Sequence, residues 1–135
     1  MGPEQPAVKV AAVLPAYESA ATVEGVLKAI PRQFFQDIIL VDNHSKDRTF
    51  EIVSKDKSVL AFCNEKNRGY GGNMKRCFQL ALERGAEIIV EIHPDGEYGL
   101  ESIGPAIEGI KAGAGLVLGN RFARGRDPLK NGMYF

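Results

Sequence analysis

The feature that most constrains the fold of this chain is the alternation of short β-type runs with helical patterns. The five runs are Val8–Leu14, Asp37–Val41, Val59–Cys63, Glu87–Ile92 and Gly115–Leu118. Four of them are almost continuously apolar, which is typical of strands that helices cover on both faces. Strands and helices in alternation build layered domains around a mostly parallel sheet. The sequence therefore predicts one α/β domain over residues 1–135, with helices on both faces of the sheet.

Apolar residues recur at helical spacing between these runs. The marker sets are Val23, Val26, Leu27 and Ile30 behind a Thr22 cap, then Phe50 and Val53, then Met74, Cys77, Phe78 and Ala81 before Gly85, and finally Ile103, Ile107 and Ile110. The third set predicts the clearest helix, and Gly85 is expected to end it. Gly104-Pro105 falls within the last set, so the sequence predicts an interrupted helix there.

The charges of the chain cancel in the sum but not along the sequence. Seventeen Lys and Arg balance seventeen Asp and Glu, which argues against binding to nucleic acid, because that requires a net basic surface. Residues 83–108 nevertheless carry seven acids against one base, and residues 111–135 carry five bases against one acid. An acidic stretch next to a basic one indicates partners of both signs.

Cysteine usage and the terminus indicate a reducing compartment. Cys63 and Cys77 lie in apolar or amphipathic runs without metal-ligand spacing, so we expect reduced core residues. The N-terminus does not resemble a signal peptide, and no apolar run approaches the roughly 18 residues of a membrane span. The sequence therefore predicts a cytoplasmic protein.

Every predicted strand ends in a polar or glycine-rich segment. These segments are 15–19, 42–49, 64–73, 93–98 and 119–121. Because the carboxyl ends of parallel strands form the ligand crevice of an open α/β sheet, we expect all five at one site. Asp42 can accept hydrogen bonds from a nucleobase or ribose, or it can cap the following helix. Residues 67–72 lead into a helix N-terminus, where an anion is favoured, although the third glycine of the dinucleotide fingerprint is missing.

The segment after the fourth run carries three alternating side chains that can hold a metal. His93, Asp95 and Glu97 can point to one side of an extended turn. Two carboxylates favour Mg²⁺ or Mn²⁺, and the imidazole shifts the preference toward Mn²⁺. The alternative is a simple Asp95-Gly96 turn after a strand-end histidine.

With these segments assembled, the chain resembles family 2 glycosyltransferases of the GT-A fold, in particular the dolichyl- and undecaprenyl-phosphate sugar synthases. The family's P-x-Y is matched by Pro15-Ala16-Tyr17, and its V-D-D-G-S-x-D-x-T by the segment from Val41 to Thr49. Its remaining motifs correspond to Asn67-Arg68-Gly69-Tyr70-Gly71 for N-x-G-x-G, His93-Pro94-Asp95 for D-x-D, and Leu118-Gly119-Asn120-Arg121 for L-G-S-R.

The resemblance implies roles for individual residues. Pro15, Tyr17 and Asp42 would hold the base and ribose of a nucleotide-sugar, within motifs that also include Glu18, Val41, Asn67 and Gly69. The acidic ribose contact of the family's Y-N-E is displaced by one position, to Glu18. Asp95 would bind the metal and the nucleotide's diphosphate, with His93 and Glu97 as further ligands, and Arg121 would face phosphate. Asp95 and Arg121 are the implied catalytic residues.

The implied activity is metal-dependent transfer of a hexose from a UDP- or GDP-sugar to an acceptor, expected to be a polyprenyl phosphate at the cytoplasmic face of a membrane. The metal and basic groups would stabilise the departing diphosphate. Relatives continue for about another hundred residues into the acceptor region. A nucleotide-sugar-binding module without turnover is therefore the alternative, and a second copy or a partner chain is a candidate source of the acceptor half.

Two further alternatives concern the end of the chain and the class of protein. Arg124, Arg126 and Lys130 either face phosphates or form a solvated basic tail. A phosphoreceiver-like signalling domain fits the alternation, but it requires an acidic pair after the first strand and an aspartate after the third. This sequence has Pro15-Ala16 and Asn64 at those positions.

Overall fold

A computed structural model describes residues 7–96 and 99–119 of the chain. The strands are β1 (Val10–Ala16), β2 (Asp37–Asp42), β3 (Leu60–Cys63) and β4 (Ile88–Glu91). The helices are α1 (Val23–Ala29), α2 (Thr49–Ser54), α3 (Gly69–Glu83) and α4 (Ile103–Lys111), with a 3₁₀ turn at Arg32–Phe34. The strands form one parallel sheet in the order β3-β2-β1-β4.

Strand β1 is central and buried along its whole length. Its side chains alternate between the two faces of the sheet, as they must in a strand. Ala12 and Leu14 belong to the core that α1, α2 and α4 help to form, whereas Ala11 and Val13 belong to the core under α3. Helices therefore cover both faces, and the predicted α/β architecture is confirmed.

The first four predicted strands are confirmed with small shifts of their ends, but the fifth is wrong. Residues 115–118 form no strand, and the side chains of Leu116 and Leu118 are 73% and 77% exposed. An apolar β-type run becomes a strand only when a neighbouring strand pairs with its backbone. In the described ranges the sheet ends at β4, with which this run does not pair.

The helices confirm the periodicity and correct three details. Thr22 makes no side-chain cap. Phe78 is exposed, and Asn73 takes a buried place on α3 beside Met74, Cys77 and Ala81. Helix α4 runs without interruption because Pro105 lies in its first turn, where backbone N–H groups have no partner within the helix. Gly85 follows α3 with φ +85°, as expected of a glycine that ends a helix.

The two cysteines are free thiols in different environments. Cys77 is free and buried, which confirms the expected reduced core residue, and its burial raises the pKa of the thiol to about 12. Cys63 is exposed at the end of β3, so the expectation of a second core cysteine is wrong. The strand ends border the crevice, so a residue there is exposed even when the run around it is apolar. None of the helices in the described ranges has the length and apolar character to span a bilayer.

Candidate functional site

Asp42 lies at the end of β2 with only 1% of its surface exposed. Its two carboxylate oxygens accept hydrogen bonds from the hydroxyl and, at 3.1 Å, the backbone N–H of Ser45. Cys63 lies beside it, with Sγ 3.6 Å from Oδ2. Burial and the negative Asp42 raise the pKa of the Cys63 thiol. Helix α2 begins only at Thr49, so Asp42 does not cap it and instead fixes a turn.

The loops that follow β1 and β2 are joined by Glu18. Its carboxylate accepts the backbone N–H groups of Lys46 at 3.1 Å and Asp47 at 3.2 Å. Its own N–H donates to Ser45 Oγ at 2.8 Å, and its φ of 50° lies in the left-handed region. A nucleotide role for Glu18 stays a prediction, and the contacts observed here give it a structural role between the loops.

Asp47 adds a second connection between the same loops. It accepts hydrogen bonds from the backbone and hydroxyl of Thr49, and from the Ala20 N–H at 3.1 Å. Burial raises its pKa, but these hydrogen bonds outweigh burial and hold the pKa below its usual value. The loops after two neighbouring strands therefore form one rigid rim at the carboxyl edge.

Three more residues predicted at the nucleotide site lie at this rim, namely Pro15, Tyr17 and Val41. Pro15 and Val41 are paired across β1 and β2, and both are buried. Tyr17 follows directly and is half exposed. The edge thus combines a buried carboxylate with an accessible aromatic ring, a combination that can bind a base and a ribose.

A network of three buried asparagines and the exposed Asn67, which the sequence did not reveal, holds the loop after β3. Asn64 Nδ2 donates to Asn43 Oδ1 at 3.0 Å and to Asn73 Oδ1 at 2.9 Å, and Asn73 Nδ2 donates to the Val41 carbonyl at 3.0 Å. Asn43 Nδ2 in turn donates to Asn67 Oδ1 at 3.0 Å. Asparagine is usually exposed, so only the fold shows that these four side chains converge.

The network places the glycine-rich turn at the start of α3. Asn67 Oδ1 accepts the N–H of Gly69 at 2.7 Å, and Gly69 has φ +74°. The predicted Asn67-x-Gly69 element is therefore a helix-entry turn anchored through Asn43 to β2.

The end of β4 brings His93 together with Glu91 and Tyr70, for which the sequence alone predicts no role. His93 Nε2 lies 2.9 Å from Glu91 Oε1. The Tyr70 hydroxyl also donates to Glu91 Oε1 and lies 3.4 Å from His93 Nε2. The sequence places Glu91 two positions before His93, in the same alternation. Only the topology of the sheet brings Tyr70 close to these two residues.

His93 and Asp95 line a groove of about 440 Å³ between α1 and the end of β4. Thr22 Oγ1 donates to the Pro94 carbonyl at 2.7 Å and fixes the turn against α1. No three metal-ligating side chains converge within residues 7–96 and 99–119, and the predicted ligand Glu97 and catalytic Arg121 lie outside the described residues. One imidazole and one carboxylate suit Mn²⁺ better than Mg²⁺, which prefers oxygen ligands, and waters or substrate phosphates would fill the remaining positions around the cation.

The order of the strands separates the two parts of the site. Asp42 follows β2 and His93 follows β4, and β1 lies between these strands. Two strand spacings amount to about 10 Å. The edge therefore suits an elongated ligand, with one end at Asp42 and a charged end at the groove.

The sequence matches the profile described as glycosyl transferase family 2 over residues 11–134. The chain belongs to glycosyl transferase family 2. It is 27% identical to a UDP-N-acetylglucosamine–dolichyl-phosphate N-acetylglucosaminyltransferase of Methanococcus voltae, over 73% of this chain and 45% of the relative. It is 30% identical to an undecaprenyl-phosphate mannosyltransferase of Micrococcus luteus, over 84% of this chain and 49% of the relative. The predicted resemblance is confirmed, and the chain spans about half the length of these curated relatives.

Solved structures share the fold. Mannosyl-3-phosphoglycerate synthase from Rubrobacter xylanophilus superimposes with a TM-score of 0.65 at 21% identity, over 76% of this chain and 36% of that one. Glucosyl-3-phosphoglycerate synthase from Mycobacterium tuberculosis, solved with Mn²⁺, UDP and glucosyl-3-phosphoglycerate, superimposes with a TM-score of 0.60 at 20% identity. The match covers 80% of this chain and 41% of that one. These likenesses establish the GT-A type of fold for this family member.

Proposed function

We propose that this chain is the nucleotide-sugar-binding part of a metal-dependent glycosyltransferase that moves a hexose from a UDP- or GDP-sugar to a polyprenyl phosphate. The observation that carries the proposal is the carboxyl edge of the sheet. There the loops after β1 and β2 are joined around a buried Asp42, and the end of β4 presents His93 and Asp95 to a groove. The names of the relatives support the class of acceptor.

The nucleotide would bind with its base and ribose at Asp42, Tyr17 and Pro15. The hydrogen bonds of the buried Asp42 carboxylate to Ser45 fix the rim against which the ribose would lie, and the exposed Tyr17 ring offers a surface for stacking. A preformed rim of this kind lowers the entropy lost on binding.

His93 and Asp95, together with Glu97, would hold the divalent cation at the diphosphate. When bound, the cation neutralises the negative charge that develops as the nucleoside diphosphate departs. Arg121, in the position of the family's L-G-S-R arginine, would supply a fixed positive charge to the same phosphates. The residues of this chain would thus assist the departure of the diphosphate by electrostatics.

The acceptor would be a lipid phosphate reached at the cytoplasmic face of a membrane. The basic residues after position 120 give the chain a positive region next to its acidic one. Such a region attracts phosphate headgroups.

A nucleotide-sugar-binding module without turnover is the second candidate. This chain covers 45% and 49% of the length of the two curated relatives, and the site described above accounts for donor binding only. In that case the acceptor half would come from a second copy or a partner chain.

Calorimetric titration with UDP and GDP, with and without Mn²⁺, tests the donor site. We expect binding of one nucleotide that strengthens with Mn²⁺, and absence of binding under every condition would refute the proposal. Transfer of a labelled hexose to a polyprenyl phosphate then separates the candidates. Transfer supports the enzyme, whereas nucleotide binding without transfer supports the module.

A further inference from the structure

Tyr70, Glu91 and His93 form a compact cluster beside the groove. Glu91 and His93 are two positions apart at the end of β4, and about 30% of each side chain is exposed. Tyr70 arrives from the first turn of α3, and its ring lies nearly parallel to the imidazole, at 20° and with 6.0 Å between centroids. The imidazole is therefore held both at its edge and along its face.

The chemistry of Glu91 determines the tautomer of His93. An ionised carboxylate only accepts hydrogen bonds, so the ring nitrogen 2.9 Å from Glu91 Oε1 must carry a proton. That nitrogen is Nε2, and in the neutral ring the lone pair then resides on Nδ1. Because the Tyr70 hydroxyl donates to the same oxygen, it orients the carboxylate for this contact.

We propose that Glu91 and Tyr70 are positioning residues that hold His93 through Nε2 and so make Nδ1 the nitrogen that faces the metal and diphosphate. This inference rests on the proposed function, because it concerns how His93 would serve that site. Metal-binding histidines commonly donate their other N–H to a carboxylate, which raises the basicity of the ligating nitrogen.

The cluster also bears on the histidine that stands at the first position of the family's D-x-D motif, where relatives have an aspartate. A neutral imidazole at the first position of the family's D-x-D brings no negative charge to a cation. Glu91 supplies a carboxylate in direct contact with the ring, so negative charge is retained next to the site. The pair can thereby offset the loss of the aspartate.

The first test is the ¹⁵N NMR spectrum of the metal-free protein at mildly alkaline pH. The chain has two histidines, His93 and His44, so His44 serves as an internal reference. We expect a single Nε2–H tautomer for His93 and a mixture of tautomers in Glu91→Gln. An Nδ1–H tautomer in the unmodified chain would overturn the inference, whatever the protein binds.

The second test is calorimetric titration of Mn²⁺ into the UDP-saturated protein. We expect Glu91→Gln to weaken Mn²⁺ binding by about 10- to 100-fold, and Tyr70→Phe by less than about tenfold, since it removes one hydrogen bond and keeps the ring. Glu83→Gln removes the same charge at the far end of α3 and should leave the affinity unchanged.

A double-mutant cycle distinguishes a positioning role from a general effect of charge. If Glu91 acts through His93, adding Glu91→Gln to His93→Ala should change the affinity by less than about twofold. The inference would be overturned if Glu91→Gln weakened Mn²⁺ binding equally with and without His93, or if it did not weaken Mn²⁺ binding at all. Failure of the unmodified chain to bind UDP or GDP would instead refute the proposed function, and the tautomer would still decide the orientation of His93.

Discussion

Asn73 offers a direct test of the buried asparagine network, through the substitution Asn73→Ala. The side chain is 2% exposed on α3. It donates to the Val41 carbonyl at 3.0 Å and accepts from Asn64 at 2.9 Å. Alanine removes both contacts and leaves the buried partners with fewer hydrogen bonds.

The magnitude follows from these two contacts. Each buried hydrogen bond contributes about 1 kcal/mol, and partial loss of partners for buried groups adds about 1–2 kcal/mol. The higher helix propensity of alanine returns up to about 0.7 kcal/mol. We therefore expect the free energy of unfolding to fall by about 2–3 kcal/mol, a large share of the roughly 5–15 kcal/mol typical of a domain.

Urea denaturation followed by far-UV circular dichroism measures this change. Gln79→Ala is the matched control, because Gln79 is an exposed amide on the same helix and should change stability by less than about 0.5 kcal/mol. If Asn73→Ala cost less than about 1 kcal/mol, the network would not hold the loop after β3 as described.

Three further outcomes are expected. The pKa of Asp37 is lowered by its hydrogen bond with Arg84, so its contribution is present at neutral pH and lost as pH falls through the folded-state pKa. Asp37→Asn should therefore lower the free energy of unfolding by about 1 kcal/mol near pH 7 and by nothing measurable near pH 2. Urea titrations at both pH values measure this change, and an equal loss of stability at the two pH values would contradict the prediction. Asp95→Ala should abolish metal-dependent nucleotide binding with an unchanged dichroism spectrum, and unchanged affinity by calorimetry would show that the metal site lies elsewhere. A thiol reagent should label the exposed Cys63 and spare Cys77 in the native protein, and mass spectrometry that finds Cys77 modified would contradict its burial.

The sheet was predictable because its signal is local. Four apolar runs of strand length, separated by helical periodicity, suffice to predict β1 to β4. The same runs show where each strand ends, and so which polar residues lie at the strand ends. The run Gly115–Leu118 carries the same local signal, but a strand also needs a pairing partner, which is a property of the whole fold.

The composition of the site was predictable, but its internal contacts were not. Asp42 and His93 were recognisable as strand-end residues. The burial of Asn64 and the reach of Tyr70 to Glu91 depend on which loops the topology brings together. Residue type alone gives a misleading expectation there, since asparagine is usually exposed.

The central position of β1 also has a consequence for the order of assembly. β1 pairs with β2, which follows it closely, whereas its pairing with β4 closes a much longer loop. The hydrogen bond from Thr22 to Pro94 likewise joins residues 72 positions apart. Since distant contacts form late in folding and chains emerge from the ribosome N-terminus first, the rim around Asp42 should form before the turn at His93. The proposed nucleotide site would then be assembled from its nucleoside side first.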